Sequence, residues 1–199
     1  MLHRSLSGVH YDHRQRDHPA QGTGRRRELR SVGGAVAKTH RLSAAAALLK
    51  AYSASARINQ YLVQQLDPAV WQAPPPGPKT RTIAAQVAHL HNCGLRYLER
   101  TAPGFPVPGE LDRRHATRAQ AVRALGAKRK AVLAIVGAAL KDDGRIVGFH
   151  HDAAGYLMYY MMHDAHHRGQ IVLQARLLGY PITQKTMIEM WAFSKRAKE

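Results

Sequence analysis

The sequence predicts an all-α fold, an antiparallel four-helix bundle followed by a short C-terminal helix. Apolar residues recur at helical spacing in four long segments, stretches rich in proline and glycine separate these segments, and strand-like alternation is scarce. Bundles of this kind often hold metal ions between side chains of facing helices. The fold class therefore directs attention to metal-binding side chains.

The first two predicted helices are bounded by proline. Helical spacing begins near Leu42 and has to end before the segment 74–78, because proline removes a hydrogen-bond donor and clashes with the preceding turn. A second helix begins near Thr82, a suitable N-cap residue, and runs to about Arg100. The proline- and glycine-rich loop 102–109 ends it.

The remaining helices are bounded by turn residues and caps. A third helix is predicted over 118–140 and ends at an Asp-Asp-Gly turn. The fourth opens after Asp152, a good N-cap, and continues to Leu178, where Gly179 provides a C-terminal stop. A short fifth helix is predicted over 184–195.

Length and composition predict one ordinary domain. The chain has 199 residues, of which 45% are apolar, enough for a single core. We assign residues 41–199 to it and predict a basic, disordered extension over 1–40, where apolar residues are too sparse to form a stripe. The absence of a long apolar run predicts no membrane span and no secretory signal. Cys93 is the only cysteine, which agrees with the cytoplasmic location that we expect.

The formal net charge of +17 raises the question of nucleic-acid binding. Residues 1–40 carry +5 of this charge, and the remaining +12 is scattered over several predicted helices rather than gathered in one stripe. No nucleic-acid-binding motif is present. We therefore expect loose attraction to phosphates but no specific nucleic-acid partner.

The most informative motif lies in the fourth helix, where His163-Asp-Ala-His-His167 is followed by Arg-Gly-Gln-Ile. Imidazole is the commonest protein ligand for transition metals. Two histidines at i and i+4 lie within roughly 40° of each other on a helix, so they can hold one ion. His166 falls roughly 60° to the other side of His163, which favours the 163/167 pair.

The face that carries this pair also contains two tyrosines and two glutamines, at positions 156, 160, 170 and 174. Such a face is too polar for a helix seam and too aromatic for a solvated surface, which suggests a pocket wall. Because the chain has 13 histidines, however, such a pair can also arise by chance. No HExxH motif is present, so the glutamate base of a zinc metalloprotease is missing.

Spacing alone leaves the third ligand open between His89 and His91. The apolar face of the second helix lies closer to His91, so periodicity by itself favours His91. Cys93 lies one turn beyond His89 and is a candidate fourth ligand, although a small buried thiol is the favoured interpretation.

Two segments of the chain resemble the DinB/YfiT-like family of metal-binding four-helix-bundle proteins. One is Thr82-Ile-Ala-Ala-Gln-Val-Ala-His89-Leu-His-Asn, similar to the family's second-helix signature. The other is His163-Asp-Ala-His-His167-Arg-Gly-Gln-Ile, similar to the family's most specific motif. The resemblance covers about residues 42–195 and implies that His89, His163 and His167 are the metal ligands.

Three histidine ligands would leave a coordination position open for a substrate, as in catalytic sites. Zinc fits this ligand type best, and nickel, iron and manganese are alternatives. Characterised relatives imply a metal-dependent enzyme that activates a low-molecular-weight thiol, an S-transferase or isomerase. In that interpretation Tyr160 and Gln170 orient a small-molecule substrate, and Arg168 and Arg96 bind carboxylates, unless these arginines are simply solvated.

Two other functions remain open at this point. A metal-bound water would make the protein a hydrolase. A fully occupied coordination shell would instead make it a non-catalytic metal-binding module of a damage-inducible stress response. The resemblance also implies a homodimer.

Overall fold

The computed structural model describes residues 43–78, 80–148 and 152–199, which form six α-helices and one 3₁₀ turn. The elements are α1 (Ala44–Gln65), the 3₁₀ turn (Pro68–Val70), α2 (Ile83–Thr101), α3 (Arg118–Ala139), α4 (Ala153–Leu177), α5 (Gln184–Trp191) and α6 (Phe193–Arg196). These residues contain no β-strand, only an isolated bridge between Arg145 and Asp152. The predicted all-α class is therefore confirmed.

Side-chain caps explain where the long helices begin. The side-chain oxygens of Ser43, Thr82 and Asp152 each accept a hydrogen bond from a backbone N–H three residues later. Thr117 forms a capping box with Gln120, in which each side chain bonds the backbone of the other. The predicted N-caps of the second and fourth helices are thus confirmed.

The four long helices pack so that α1 and α2 each contact both α3 and α4. Two clusters of buried apolar side chains fill the space between them. One contains Trp71, whose indole Nε1 donates to the carbonyl of Ala116 at 2.7 Å and ties two loops together. The other contains the buried rings of Tyr52, Tyr156 and Tyr160, close to the middle of α4.

The C-terminal segment differs from its prediction because the fifth helix is divided in two at Ala192. Both pieces pack against α1. The guanidinium of Arg196 lies 4.1 Å from the ring centroid of Tyr61. The backbone carbonyl of Arg196 accepts a hydrogen bond from Arg57 Nη1 at 2.9 Å. These contacts to α1 hold the short α6 in place.

The extension predicted for residues 1–40 lies outside the described residues. In the part of the chain that the structure does describe, none of the helices has the combination of length and hydropathy needed to cross a bilayer.

Candidate metal centre

Helices α2 and α4 bring three histidine rings together. The ring centroid of His89, on α2, lies 5.9 Å from that of His163 and 4.9 Å from that of His167, both on α4. The two α4 rings are 4.6 Å apart, as expected for positions i and i+4. The residues that the resemblance implied as ligands therefore share one location.

Cys93 belongs to the same cluster. One nitrogen of His89, one nitrogen of His163 and the Sγ of Cys93 all lie within 4.8 Å of one another. Two atoms bound to one zinc ion are separated by at most about 4.4 Å, the sum of typical Zn–N and Zn–S bond lengths. Small side-chain rotations would thus bring this trio onto one ion. The prediction of a buried thiol was wrong, because Cys93 is partly exposed.

The distances between ring centroids and the distances between donor atoms indicate different third ligands for this site. By ring centroids the third member is His167, whereas Cys93 completes the trio of closely spaced donor atoms. Because a ring can turn about χ2 while its centroid moves little, both residues are candidate ligands.

The surroundings of His89 and His167 keep their imidazoles neutral, the form that binds metal. Burial, followed by the charges of His167 and Arg81, lowers the pKa of His89 to about 4. Burial also lowers the pKa of His167, with His163 as the next cause. Neutral rings carry the free lone pair that a metal ion requires, so the donor chemistry fits a transition metal.

A hydrogen bond to Gln170 sets the tautomer of His167. Nδ1 of His167 lies 2.8 Å from Gln170 Oε1, which can only accept, so Nδ1 carries the proton. The amide nitrogen of Gln170 lies 3.0 Å from Nε2 of His166, which fixes the orientation of the amide. Nε2 of His167 is consequently the nitrogen available to an ion, and Gln170 is its orienting partner.

A buried ion pair lies next to the histidines. Lys128 Nζ of α3 lies 3.3 Å from Asp164 Oδ1 of α4, and each side chain is only 1% exposed. Lys128 also donates to the carbonyl of Leu90 at 3.1 Å, and Asn59 Nδ2 donates to Asp164 Oδ2 at 2.6 Å. Asp164 Oδ1 is in turn 3.9 Å from Nδ1 of His163. The histidine cluster therefore lies next to a buried ion pair whose two members are also hydrogen-bonded to α1 and α2.

The DinB superfamily model matches residues 51–171, which contain all of these groups. The chain belongs to the DinB superfamily. A crystal structure of a protein from Exiguobacterium sibiricum 255-15, assigned to the DinB family, is similar with a TM-score of 0.51 at 21% identity. The match covers 71% of this chain and 96% of that one, and it supports the fold alone. No curated protein matches the chain.

Other residues singled out from the sequence of this DinB superfamily member lie in different surroundings. Tyr160 is buried and donates its hydroxyl to the carbonyl of Gly94 at 2.7 Å. Arg168 faces α1, where Nη1 donates to Asn59 Oδ1 at 2.8 Å. Arg96 is exposed on α2. Of the residues predicted to bind substrate, Gln170 is therefore the one in direct contact with a ring of the cluster.

His91, the ligand that periodicity favoured, does not join the cluster. It is fully buried, and its Nε2 lies 3.0 Å from the carbonyl of Gly109 in the loop after α2. His91 lies on the apolar side of α2, and periodicity identifies residues on that side, which enter the core, rather than ligands at the edge of a bundle.

The ion pair was missed by sequence reasoning, although a signal for it exists. Lys128 occupies a core position, at helical spacing between the buried Leu125 and Val132. A lysine within such an apolar stripe requires a buried partner. The same crowding explains Gly94, where a Cβ would lie 2.8 Å from Lys128 Cδ.

Proposed function

We propose that this DinB superfamily member binds a divalent transition metal between α2 and α4 and uses it to activate a low-molecular-weight thiol. The main support for this proposal is that His89, His163 and His167 come together from two helices, with ring centroids 4.6 to 5.9 Å apart. Imidazole nitrogens beside a partly exposed Cys93 favour zinc, and nickel, iron and manganese are alternatives.

When bound, the ion would favour loss of the proton from a coordinated thiol and hold its sulfur as a nucleophilic thiolate. The overall exchange is balanced. The thiol proton passes to solvent, the sulfur lone pair forms a bond to an electrophilic carbon, and the leaving group departs with the electron pair of the broken bond.

The chain itself contributes orientation. Gln170 accepts from Nδ1 of His167 and so leaves Nε2 as the nitrogen available to an ion. Asp164 is held by Lys128 and Asn59, and it places a negative charge 3.9 Å from Nδ1 of His163. These partners favour one tautomer of His167 and one charge environment for His163, and small ring rotations then bring the donor atoms onto one ion.

Removal of metal should abolish thiol conjugation. After treatment with a chelator and dialysis, the rate at which the protein conjugates a small thiol to an aryl halide is expected to fall by at least about 10-fold. The reason is that no group would then generate the thiolate. Added zinc should restore the rate, and added magnesium, which prefers oxygen ligands, should not. An unchanged rate in the stripped protein would disprove the thiol mechanism.

A non-catalytic metal site is the second candidate, and the position of Cys93 favours it. If Cys93 binds together with the three histidines, the ion has four protein ligands, which is the closed shell of structural zinc sites. The two functions therefore differ in whether the sulfur of Cys93 is a ligand.

The Cys93→Ser substitution separates the two candidates. For the open site we expect metal affinity to fall by less than about 10-fold and thiol conjugation to persist, since Cys93 would be only a neighbour. Competition with a chromogenic chelator and the conjugation assay measure both quantities. A loss of more than about 100-fold in affinity would instead support the closed shell.

A further inference from the structure

We infer that a cleft beside the histidines binds the carboxylate end of a small amphipathic ligand, with Arg81 as the residue that recognises the charge. This inference rests on the proposed function, because it places the ligand's other end at the metal centre. The ligand class is a carboxylate that carries an apolar chain of moderate length.

The cleft lies between the start of α2 and the end of α4 and has a volume of about 340 Å³. Its walls are formed by Pro76, Thr80, Arg81, Gln86, Gln170, Leu173, Gln174 and Leu177. Gln170 connects the cleft to the metal centre, since its Oε1 accepts from His167 Nδ1 at 2.8 Å. A molecule in the cleft would therefore lie directly beside the histidine cluster.

Arg81 supplies a positive charge for which the described part of the chain offers no acidic partner. Within residues 43–78, 80–148 and 152–199, the structure shows no ion pair or hydrogen bond for its guanidinium. Arg81 is exposed and lines the cleft, while its backbone carbonyl accepts from Gln174 Nε2 at 3.0 Å. A guanidinium is planar and can donate two parallel N–H hydrogen bonds, which match the two oxygens of a carboxylate.

Two glutamines form the floor of the cleft. Gln86 Nε2 donates to Gln174 Oε1, and both amide nitrogens point towards the carbonyl of Arg81. This shared acceptor fixes both amides, which leaves Gln86 Oε1 buried without a hydrogen-bond partner among the described residues. An unpaired buried acceptor is costly, which distinguishes this polar end of the cleft from its apolar part.

The apolar part of the cleft determines the rest of the ligand class. Leu173 and Leu177 are 56% and 62% exposed, and both line the cleft. The separation of seven positions between His167 and Gln174 corresponds to about 10 Å along the helix axis. A ligand whose carboxylate reaches Arg81 while its far end reaches the metal centre would therefore need a chain of about six carbons against these leucines.

The first test uses the cobalt-loaded protein and two thiols of equal length, 6-mercaptohexanoate and 6-mercaptohexanol. Thiolate binding is followed by the sulfur-to-cobalt charge-transfer absorbance. We expect the carboxylate to bind at least about 10-fold more tightly, because a charged hydrogen bond adds roughly 1.5 kcal/mol or more. Arg81→Gln should reduce this preference to near unity, whereas Arg123→Gln, an exposed control on α3 with the same charge change, should leave it intact.

The second test does not depend on metal or on thiol chemistry. In the metal-free protein, hexanoate should shift the side-chain amide signals of Gln86 and Gln174 in NMR spectra, whereas hexanol should shift them weakly. Arg81→Gln should abolish the hexanoate shifts. Equal responses to both compounds, or shifts that survive the substitution, would overturn the inference. Cobalt that fails to bind, together with intact hexanoate shifts, would reject only the proposed function.

Discussion

Lys128→Met is expected to destabilise the protein by about 3–5 kcal/mol, the usual cost of leaving a buried charge without its partner. Lys128 and Asp164 are each 1% exposed and lie 3.3 Å apart. Methionine fills a similar volume but donates no hydrogen bond, so the carboxylate of Asp164 and the carbonyl of Leu90 lose their shared donor. Denaturation of the full chain by guanidinium chloride, followed by circular dichroism, measures the change.

Two further variants make this prediction specific. Lys130→Met, an exposed lysine on the same helix, should change the stability by less than about 0.5 kcal/mol. Adding Asp164→Asn to Lys128→Met should restore part of the loss, because the buried negative charge is then removed while the contact with Asn59 can persist. If Lys128→Met costs no more than the Lys130 control, the pair is not needed for folding.

Much of the fold follows from local signals in the sequence. The predicted helices 118–140 and 184–195 correspond to Arg118–Ala139 and to the pair Gln184–Trp191 and Phe193–Arg196. Caps, prolines and glycines act on the residues next to them, so they are readable without knowledge of tertiary contacts. The division at Ala192 is not, because α6 is held by contacts with α1 rather than by a local break.

The candidate site was predictable in part for the same reason. His163 and His167 belong together because an i,i+4 pair is a local property of one helix. The choice of His89 over His91 depends on which side of α2 faces α4, and periodicity pointed to the residue that bonds Gly109. The family resemblance, not spacing, identified His89. The core position of Lys128 indicates that it has a buried partner, but no local pattern identifies that partner as Asp164, which lies on another helix.

His163→Ala is expected to lower metal affinity by more than about 100-fold, the upper end of what loss of an orienting partner alone would cost. His163 is the α4 residue common to both descriptions of the site, since its ring is near His89 and His167 and its nitrogen lies in the trio with Cys93. Its side chain is 19% exposed, so the truncation should leave the fold intact. Elemental analysis and cobalt absorbance spectra measure the effect.

His166→Ala is the matched control, because this exposed histidine on α4 lies beside the cluster without belonging to it. It should lower affinity by less than about 10-fold, through the orientation of Gln170 alone. His167→Ala then identifies the third ligand. A loss as large as that of His163→Ala would make His167 a ligand, whereas a small loss paired with a large loss in Cys93→Ser would give that position to sulfur. Stoichiometric metal retained in His163→Ala would contradict both ligand sets, because the remaining donors would then suffice without the one residue that the two sets share on α4.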